Sequence, residues 1–280
     1  MTRAGASPAR RAAASSRRGP AAPPAVVHDL DGMLKRLHLP TVGRLYGELA
    51  TRAEAEGMSY RVYLETLIAE EIAHRSETRI TRAVRKAHFP FLRTIDEFNF
   101  TFQTALKLQM LGSYLGPELV SEGRSAILSG PSGTGKSHLC IAIAYRAIQH
   151  GYEARFVGAD ALIGELSRAA VKGRLEVALE PYLQPHVLVI DELGYLSHAV
   201  DAANVLYRVV NERYLRHRPM LITTNKPLAA LGTVLHDGDL AEAILDRLLE
   251  HGAHFAMRGR SYRTRHLTEE ESPTRRPKTA

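Results

Sequence analysis

The chain has 280 residues, which suits about two domains, or one domain with appendages, and allows a substantial buried core. Its single cysteine, Cys140, has no intrachain disulfide partner, and no apolar run approaches the roughly 18 residues of a membrane span. These features exclude a disulfide-stapled scaffold and a membrane protein, and they favour a soluble, cytoplasmic protein.

The net charge of +7 suggests a nucleic-acid partner, but most of it lies at the two ends of the chain. Residues 1–28 contain five arginines and no acid, and residues 272–280 contain three basic residues and no acid, so the rest is close to neutral. We predict disordered tails at 1–28 and 268–280. In the first tail, residues 1–25 lack Leu, Ile and Phe, so they cannot bury enough apolar surface to offset the entropy of ordering. Organelle transit peptides are also rich in Arg and Ser, although no amphipathic apolar face accompanies these arginines.

A helical pattern predicts a small all-α domain over residues 29–95. An apolar stripe that follows Pro40 stops near Gly57, and Ser59 is a good N-cap for a third helix. A domain of this size is too small to be an obvious enzyme, so we expect it to contact a partner protein or DNA. The apolar residues that we place on one face of the third helix are Leu64, Leu67, Ile68 and Ile72.

Positive charge inside the folded part is concentrated between His74 and Arg93, with six Lys or Arg and one acid. Four of these residues are spaced 4, 3 and 4 apart, which places them in one row on a helix that ends by Pro90. Such a row can follow the phosphate backbone of double-stranded DNA, and it can equally be an ordinary solvated face. The candidate DNA-binding residues are Arg75, Arg79, Arg82 and Lys86.

Short apolar runs alternate with helical stretches through residues 96–267, which predicts an α/β domain with a parallel sheet covered by helices on both faces. A connector with alternating Phe98, Phe100 and Phe102 precedes it, and these rings either wall an adenine pocket or pack between domains. The predicted strands are 126–129, 155–158, 187–191, 220–224 and 254–257, and the predicted helices include 138–150, 160–170 and 202–216.

A glycine-rich loop after the first strand matches the Walker A pattern of phosphate-binding loops. Its glycines allow successive backbone N–H groups to converge on phosphate oxygens, and the helix that follows places its positive end there. Lys136 is expected to reach the outer phosphates of ATP and Ser137 to bind Mg²⁺. The predicted nucleotide-binding residues are Gly130, Pro131, Ser132, Gly133, Thr134, Gly135, Lys136, Ser137 and His138.

Two carboxylates follow the buried strand 187–190, at the sheet edge where ligands gather in open parallel sheets. Asp191 is expected to hold Mg²⁺ and Glu192 to orient or activate the attacking water, which together predict ATP hydrolysis. The amide of Asn225 ends another strand and can reach the same edge. Arg247 lies on an apolar helix, where it is either a finger donated to a neighbouring subunit's nucleotide or a partner of Asp246 or Glu250.

From Leu34 to His266 the chain resembles the IstB-like ATP-binding proteins, AAA+ helpers of insertion-sequence transposition that are close to DnaC-type helicase loaders. Specific parts of the likeness are Asp191-Glu-Leu-Gly-Tyr195, Ile244-Leu-Asp-Arg-Leu248 and Gly259-Arg-Ser-Tyr-Arg263. The remaining parts are Leu39-Pro40, Ala87-His-Phe-Pro90, Phe98-Asn-Phe100, the Walker A loop, Arg213-Tyr214 and Thr224-Asn225.

The resemblance implies an AAA+ ATPase domain at 96–267 that oligomerises on double-stranded DNA and delivers target DNA to a transposase encoded alongside. It also implies that Asn225 is the sensor residue and Arg247 the trans-acting finger. The chain departs from the family in having Thr224 where Ser is usual and in having no tryptophan after Asn225.

Three other functions fit parts of the pattern. A replicative helicase loader of DnaC type uses the same ATP machinery on a different partner, and the Leu-Pro and Phe-Pro pairs of the helical domain favour transposition over it. A small-molecule kinase is disfavoured by the adjacent Asp191 and Glu192 and by the missing acceptor lid. A nucleotide-gated binding module that barely hydrolyses ATP stays open.

Overall fold

The computed structural model describes residues 29–194 and 201–265, so the predicted tails 1–28 and 268–280 and Tyr195 of the Asp-Glu-Leu-Gly-Tyr motif lie outside them. Two compact units divide the chain, the first ending at His74 and the second beginning at Arg75. The domain boundary that we placed at residue 95 stays a prediction. Within the described residues, no helix is both long enough and apolar enough to cross a membrane.

The described part of the chain begins with three helices, α1 (Leu30–Arg36), α2 (Pro40–Glu56) and α3 (Tyr60–Ala87), the last of which continues into the second unit. Ser59 caps α3 as predicted, because its Oγ accepts a hydrogen bond of 3.3 Å from the N–H of Val62. The core of the first unit is formed by Leu34, Val42 and Leu67.

The start of α2 is held by a buried carboxylate. Leu39, the residue before α2, provides no side-chain cap, and Glu71 of α3 accepts hydrogen bonds from the N–H groups of Thr41 and Val42 at 2.9 and 3.2 Å. An anion is favourable there because the first N–H groups of a helix lack partners and carry partial positive charge. The face of α3 toward the first core therefore contains Leu67 and Glu71.

The apolar face that we predicted on α3 is divided in the structure. Leu67 is 4% exposed, whereas Leu64, Ile68 and Ile72 are 58%, 41% and 59% exposed. These three residues are spaced four apart and form a separate stripe, since a spacing of four keeps residues on one side of a helix. The prediction was therefore right for Leu67 and wrong for the other three.

The second unit is built on a five-stranded parallel sheet with the strand order β2-β3-β4-β1-β5. All five predicted strands are present, and their observed ends differ by at most one residue from the predicted ones. The strands are β1 (Ala126–Ser129), β2 (Ala154–Gly158), β3 (Val187–Asp191), β4 (Met220–Thr224) and β5 (Ala253–Ala256).

Helices cover both faces of the sheet, as predicted. Alternate residues of one strand enter different cores: Leu188 and Ile190 of β3 pack in one, and Val187 and Val189 pack in the other. The helices are α4 (Gly112–Leu115), α5 (Glu118–Ser121), α6 (Lys136–Gln149), α7 (Ala159–Val171), α8 (Leu175–Leu183), α9 (Ala202–Leu215), α10 (Leu231–Leu235) and α11 (Gly238–Glu250).

A buried arginine fastens α9 to the amino ends of two strands. The guanidinium of Arg213 is fully buried and donates hydrogen bonds of 2.7 to 3.0 Å to four backbone carbonyls. Two of these carbonyls belong to His186 and Pro219, the residues that precede β3 and β4. Burial lowers the pKa of Arg213 to about 9. The acceptors are Tyr182, Pro185, His186 and Pro219.

Candidate nucleotide-binding site

The Walker A loop joins the carboxyl end of β1 to the first turn of α6, as predicted. Gly133 and Gly135 have φ angles of +79° and +97°, which L side chains rarely adopt. A Cβ on Gly133 would collide with Ser261, and one on Gly135 would lie 2.6 Å from Cε2 of Phe98. Glycine is therefore required at both positions by backbone conformation and by space.

The loop presents a run of unpaired backbone donors. Among the described residues, none provides a hydrogen-bond acceptor for the N–H groups of residues 133–138. These groups lie at the start of α6, where the helix dipole adds partial positive charge. Such a run of N–H groups is a binding site for an anion such as a polyphosphate.

Lys136 is turned back toward its own loop. Its Nζ donates hydrogen bonds of 2.8 Å to the carbonyl oxygens of both Gly130 and Pro131. Burial lowers the pKa of Lys136, while the carboxylates of Asp191 and Glu192 act in the opposite direction. A buried cation whose hydrogen-bond partners among the described residues are neutral carbonyls is well placed to exchange them for a phosphate.

Ser137 and Asp191 meet across the site. The hydroxyl of Ser137, on the first turn of α6, donates a hydrogen bond of 2.7 Å to Oδ1 of Asp191 at the end of β3. Hydroxyl and carboxylate oxygens are the ligands that Mg²⁺ prefers, and this ion is commonly held by one or two carboxylates together with substrate phosphates. The pair therefore fits the predicted magnesium site.

Glu192 and Asn225 lie at the same sheet edge. Glu192 adopts a φ of +62°, which is uncommon for a residue with a side chain and occurs often at functional sites. Asn225 Oδ1 is buried with no hydrogen-bond partner within the described residues. A buried polar atom without a partner is costly, so this amide fits a role in contacting a bound ligand or an ordered water.

A cleft of about 270 Å³ is formed by these groups. Besides predicted residues it contains Phe91, Arg93, Thr223, Tyr262 and Arg263, to which the sequence analysis assigned no role at this site. The signals available were the Gly-x-Ser-Tyr-Arg motif and the polar residues that end β4. The full lining is Phe91, Arg93, Ser132, Gly133, Gly135, Lys136, Ser137, His138, Glu192, Thr223, Asn225, Tyr262 and Arg263.

The connector phenylalanines differ from one another in their contacts. The connector turns at residues 96–97 and 100–102, and Phe98 packs edge-on against Phe100 and His138 with ring centroids 4.8 and 5.3 Å apart. Phe98 therefore supports the back of the Walker A loop, whereas Phe91 lines the cleft. Phe102 instead packs against Tyr262, with ring centroids 5.1 Å apart.

Arg247 lies far from this cleft. Together with Ser125 and Met220 it lines a small cavity at the amino ends of β1 and β4, whereas the cleft lies at the carboxyl ends. Its Nε donates to Asn211 Oδ1 at 3.1 Å, and its guanidinium lies over the ring of Tyr207 at 4.9 Å. The arginine is thus held by polar and aromatic groups and not by the acids that we considered as partners.

A comparison with protein-family models decides the family. Residues 32–270 match the model described as "IstB-like ATP binding protein". The chain belongs to this family. The name of the model describes ATP-binding proteins, and the described residues have the predicted fold, a parallel sheet with helices on both faces that is preceded by helices.

Two relatives carry names that refer to insertion sequences and ATP binding. The IS5376 protein of Geobacillus stearothermophilus is 36% identical over 82% of this chain and 91% of its own length. The IS21 protein of Pseudomonas aeruginosa is 32% identical over 85% of this chain and 89% of its own length. A crystal structure titled "DNA replication initiation factor" matches with a TM-score of 0.50 and 21% identity over 60% of this IstB-like chain and 50% of that one, which shows the fold alone.

Proposed function

We propose that this IstB-like protein is a Mg²⁺-dependent ATPase that assembles on double-stranded DNA and assists the transposase encoded alongside it in target-DNA selection or delivery. The main support is the meeting of Ser137, Asp191 and Glu192 at the mouth of the Walker A loop. Family membership and the insertion-sequence names of the relatives favour transposition over helicase loading.

The Walker A loop, Asp191, Glu192 and Asn225 then each have a definite task in hydrolysis. The N–H groups of residues 133–138 hold the phosphates, and Lys136 leaves the carbonyls of Gly130 and Pro131 to contact the outer ones. Ser137 and Asp191 would hold Mg²⁺, which supplies charge neutralisation when bound. Glu192 orients the attacking water and accepts its proton, and Asn225 contacts that water or the terminal phosphate.

The proposal is tested with purified full-length protein, ATP, Mg²⁺ and long duplex DNA. We expect phosphate release that increases with DNA and particles that grow with ATP and DNA together. Co-purification with the integrase-type transposase of the neighbouring reading frame identifies the partner, whereas co-purification with a replicative helicase would favour a loader. A protein that neither retains ATP nor assembles would refute the proposal.

The position of Arg247 supports shared active sites. Arg247 lies beside Ser125, before β1, whereas the Walker A loop begins at Gly130, after β1. The four residues of β1 lie between these two points, and a strand rises about 3.3 Å per residue. The Arg247 side chain is therefore too distant to reach the cleft of its own chain. Any contact of this guanidinium with ATP therefore requires a second copy of the chain. An arginine supplied in this way stabilises charge in the transition state.

Replacing Arg247 by alanine is expected to lower DNA-dependent turnover by about 10³-fold while each cleft still binds ATP. Mixing Arg247→Ala with Lys136→Ala protein should restore part of the activity, because an intact cleft then meets an intact arginine from the other copy. The matched control mixes Lys136→Ala with Glu192→Gln, where every cleft is defective and no activity should return. Equal activity of the two mixtures, measured as phosphate release, would contradict the trans role.

The predicted basic row lies on the exposed side of α3. Arg75, Arg79, Arg82 and Lys86 are all exposed, while Ile80 and Val84 face the core of the second unit. Lys86 Nζ lies 3.6 Å from Glu153 in a surface ion pair that is weak because both side chains are largely solvated. The row can therefore contact a phosphate backbone, and we propose that it does.

Changing the four row residues to alanine is expected to reduce the salt dependence of DNA binding. Each lost phosphate contact lowers the slope of log K against log salt by about 0.9, so a decrease of about 3 to 4 is expected. A control with the same loss of charge replaces Arg52, Arg61, Arg208 and Arg216, which each pair with a surface glutamate. If both variants change the slope equally, the row is an ordinary solvated face.

A further inference from the structure

Thr223 holds three consecutive residues at the end of β3. The regular pairing of β3 with β4 ends at Ile190 and Ile222. Beyond these residues the two strands no longer pair regularly. The carbonyl of Thr223 instead accepts a hydrogen bond of 2.8 Å from the N–H of Leu193. Its hydroxyl accepts one of 2.8 Å from the N–H of Glu192 and donates one of 2.5 Å to Oδ1 of Asp191.

The direction of both hydroxyl bonds is fixed by chemistry. A backbone N–H can only donate and an ionised carboxylate can only accept, so the Thr223 hydroxyl accepts from Glu192 and donates to Asp191. Thr223 is 0% exposed although it borders the cleft, and the two partners of its hydroxyl are both protein groups. Both bonds are therefore made within the protein, where a missing partner is costly.

Glu192 needs such a restraint. Its φ of +62° places a residue with a Cβ in the left-handed region, which is strained and persists only when the surroundings hold it. The N–H group of Glu192 donates its hydrogen bond to the Thr223 hydroxyl. The same hydroxyl also fixes the carboxylate that Ser137 contacts at 2.7 Å. One side chain thus links the orientation of Asp191 to the backbone of Glu192.

We propose that Thr223 is a positioning residue for ATP hydrolysis, which sets Glu192 and Asp191 in their relative orientation through its hydroxyl. The inference rests on the proposed ATPase function and adds a residue to it. Thr223 acts through its neighbours, so its loss should affect turnover more than the binding of ATP. A displacement of about 1 Å in a catalytic group can lower a rate by about 10²-fold.

Two substitutions separate the hydroxyl from the methyl group of Thr223. Thr223→Val keeps the shape and removes the hydroxyl, whereas Thr223→Ser keeps the hydroxyl and removes a methyl group. We expect Val to lower kcat by about 10-fold to 10²-fold with the KM for ATP within about twofold of wild type, and Ser to retain most of kcat. A purely structural packing role predicts the reverse order, because only Ser leaves a cavity.

Ser125→Ala is the matched control, since the Ser125 hydroxyl also accepts a backbone N–H, from Met220 at 3.0 Å, but at the opposite end of β4. It should keep wild-type kcat. Amide exchange of Glu192 should become faster in Thr223→Val and stay unchanged in Ser125→Ala. Turnover of Thr223→Val at the wild-type rate, or failure of Ser to retain it, would overturn this inference alone. Absence of turnover in wild type would refute the ATPase proposal and this inference together.

Discussion

Lys136→Ala should weaken ATP binding by about 10²-fold or more, measured by titration with a fluorescent ATP analogue. The lysine is buried near two carboxylates, and its hydrogen-bond partners within the described residues are the carbonyls of Gly130 and Pro131. Its removal leaves the phosphates of ATP facing Asp191 and Glu192 without the cation that offsets their charge. Repulsion and a lost charge-assisted hydrogen bond then act in the same direction.

The control for Lys136 is Lys107→Ala, which removes the same charge from an exposed side chain outside the cleft. Its affinity for ATP should equal that of wild type. Circular dichroism of both variants verifies that the fold is intact. Wild-type affinity in folded Lys136→Ala protein would show that the loop does not bind the phosphates.

Glu192→Gln should retain ATP binding and lower kcat by about 10²- to 10⁴-fold. The amide has the shape of the carboxylate but cannot accept a proton from the attacking water. The backbone hydrogen bond from residue 192 to Thr223 is kept, so the geometry of the turn persists. With hydrolysis blocked, ATP-bound assemblies should accumulate on DNA, which sedimentation in the presence of duplex DNA measures.

Glu176→Gln is the comparison variant for Glu192, since Glu176 is an exposed acid that pairs with Arg208 on the surface. It should hydrolyse ATP at the wild-type rate. Full turnover in Glu192→Gln would show that another group activates the attacking water. Loss of ATP binding in Glu192→Gln would place Glu192 in nucleotide contact and not in the hydrolytic step.

The sheet could be predicted from the sequence because its signals are local. The inner strands β1, β3 and β4 are short runs that are buried on both faces, whereas the edge strands β2 and β5 are partly exposed. The stripe of Leu64, Ile68 and Ile72 shows the limit of this reasoning. Apolar spacing identifies a helix but does not tell which of two neighbouring stripes meets the core, since Leu67 lies next to Ile68 and only Leu67 is buried.

The candidate site could be predicted only as far as its motifs reach. Lys136, Ser137, Asp191 and Glu192 lie together because parallel strands bring their carboxyl ends to one edge. The contacts of Thr223 depend on β4 being the neighbour of β3, and the place of Phe91 in the cleft depends on how the connector turns. Neither the strand order nor the path of a loop is encoded in a local pattern.

Arg247 rests on a support made by a single helix. Tyr207, Asn211 and Tyr214, which surround its guanidinium, are spaced 4 and 3 apart on α9, and the neighbouring Arg213 fastens that helix to the sheet. The entropy of ordering this cation is therefore lost during folding of the single chain and not during encounter with another copy. In the proposed assembly, an adjoining protomer would meet a preorganised charge, so ordering this side chain adds no further entropy cost when two copies associate.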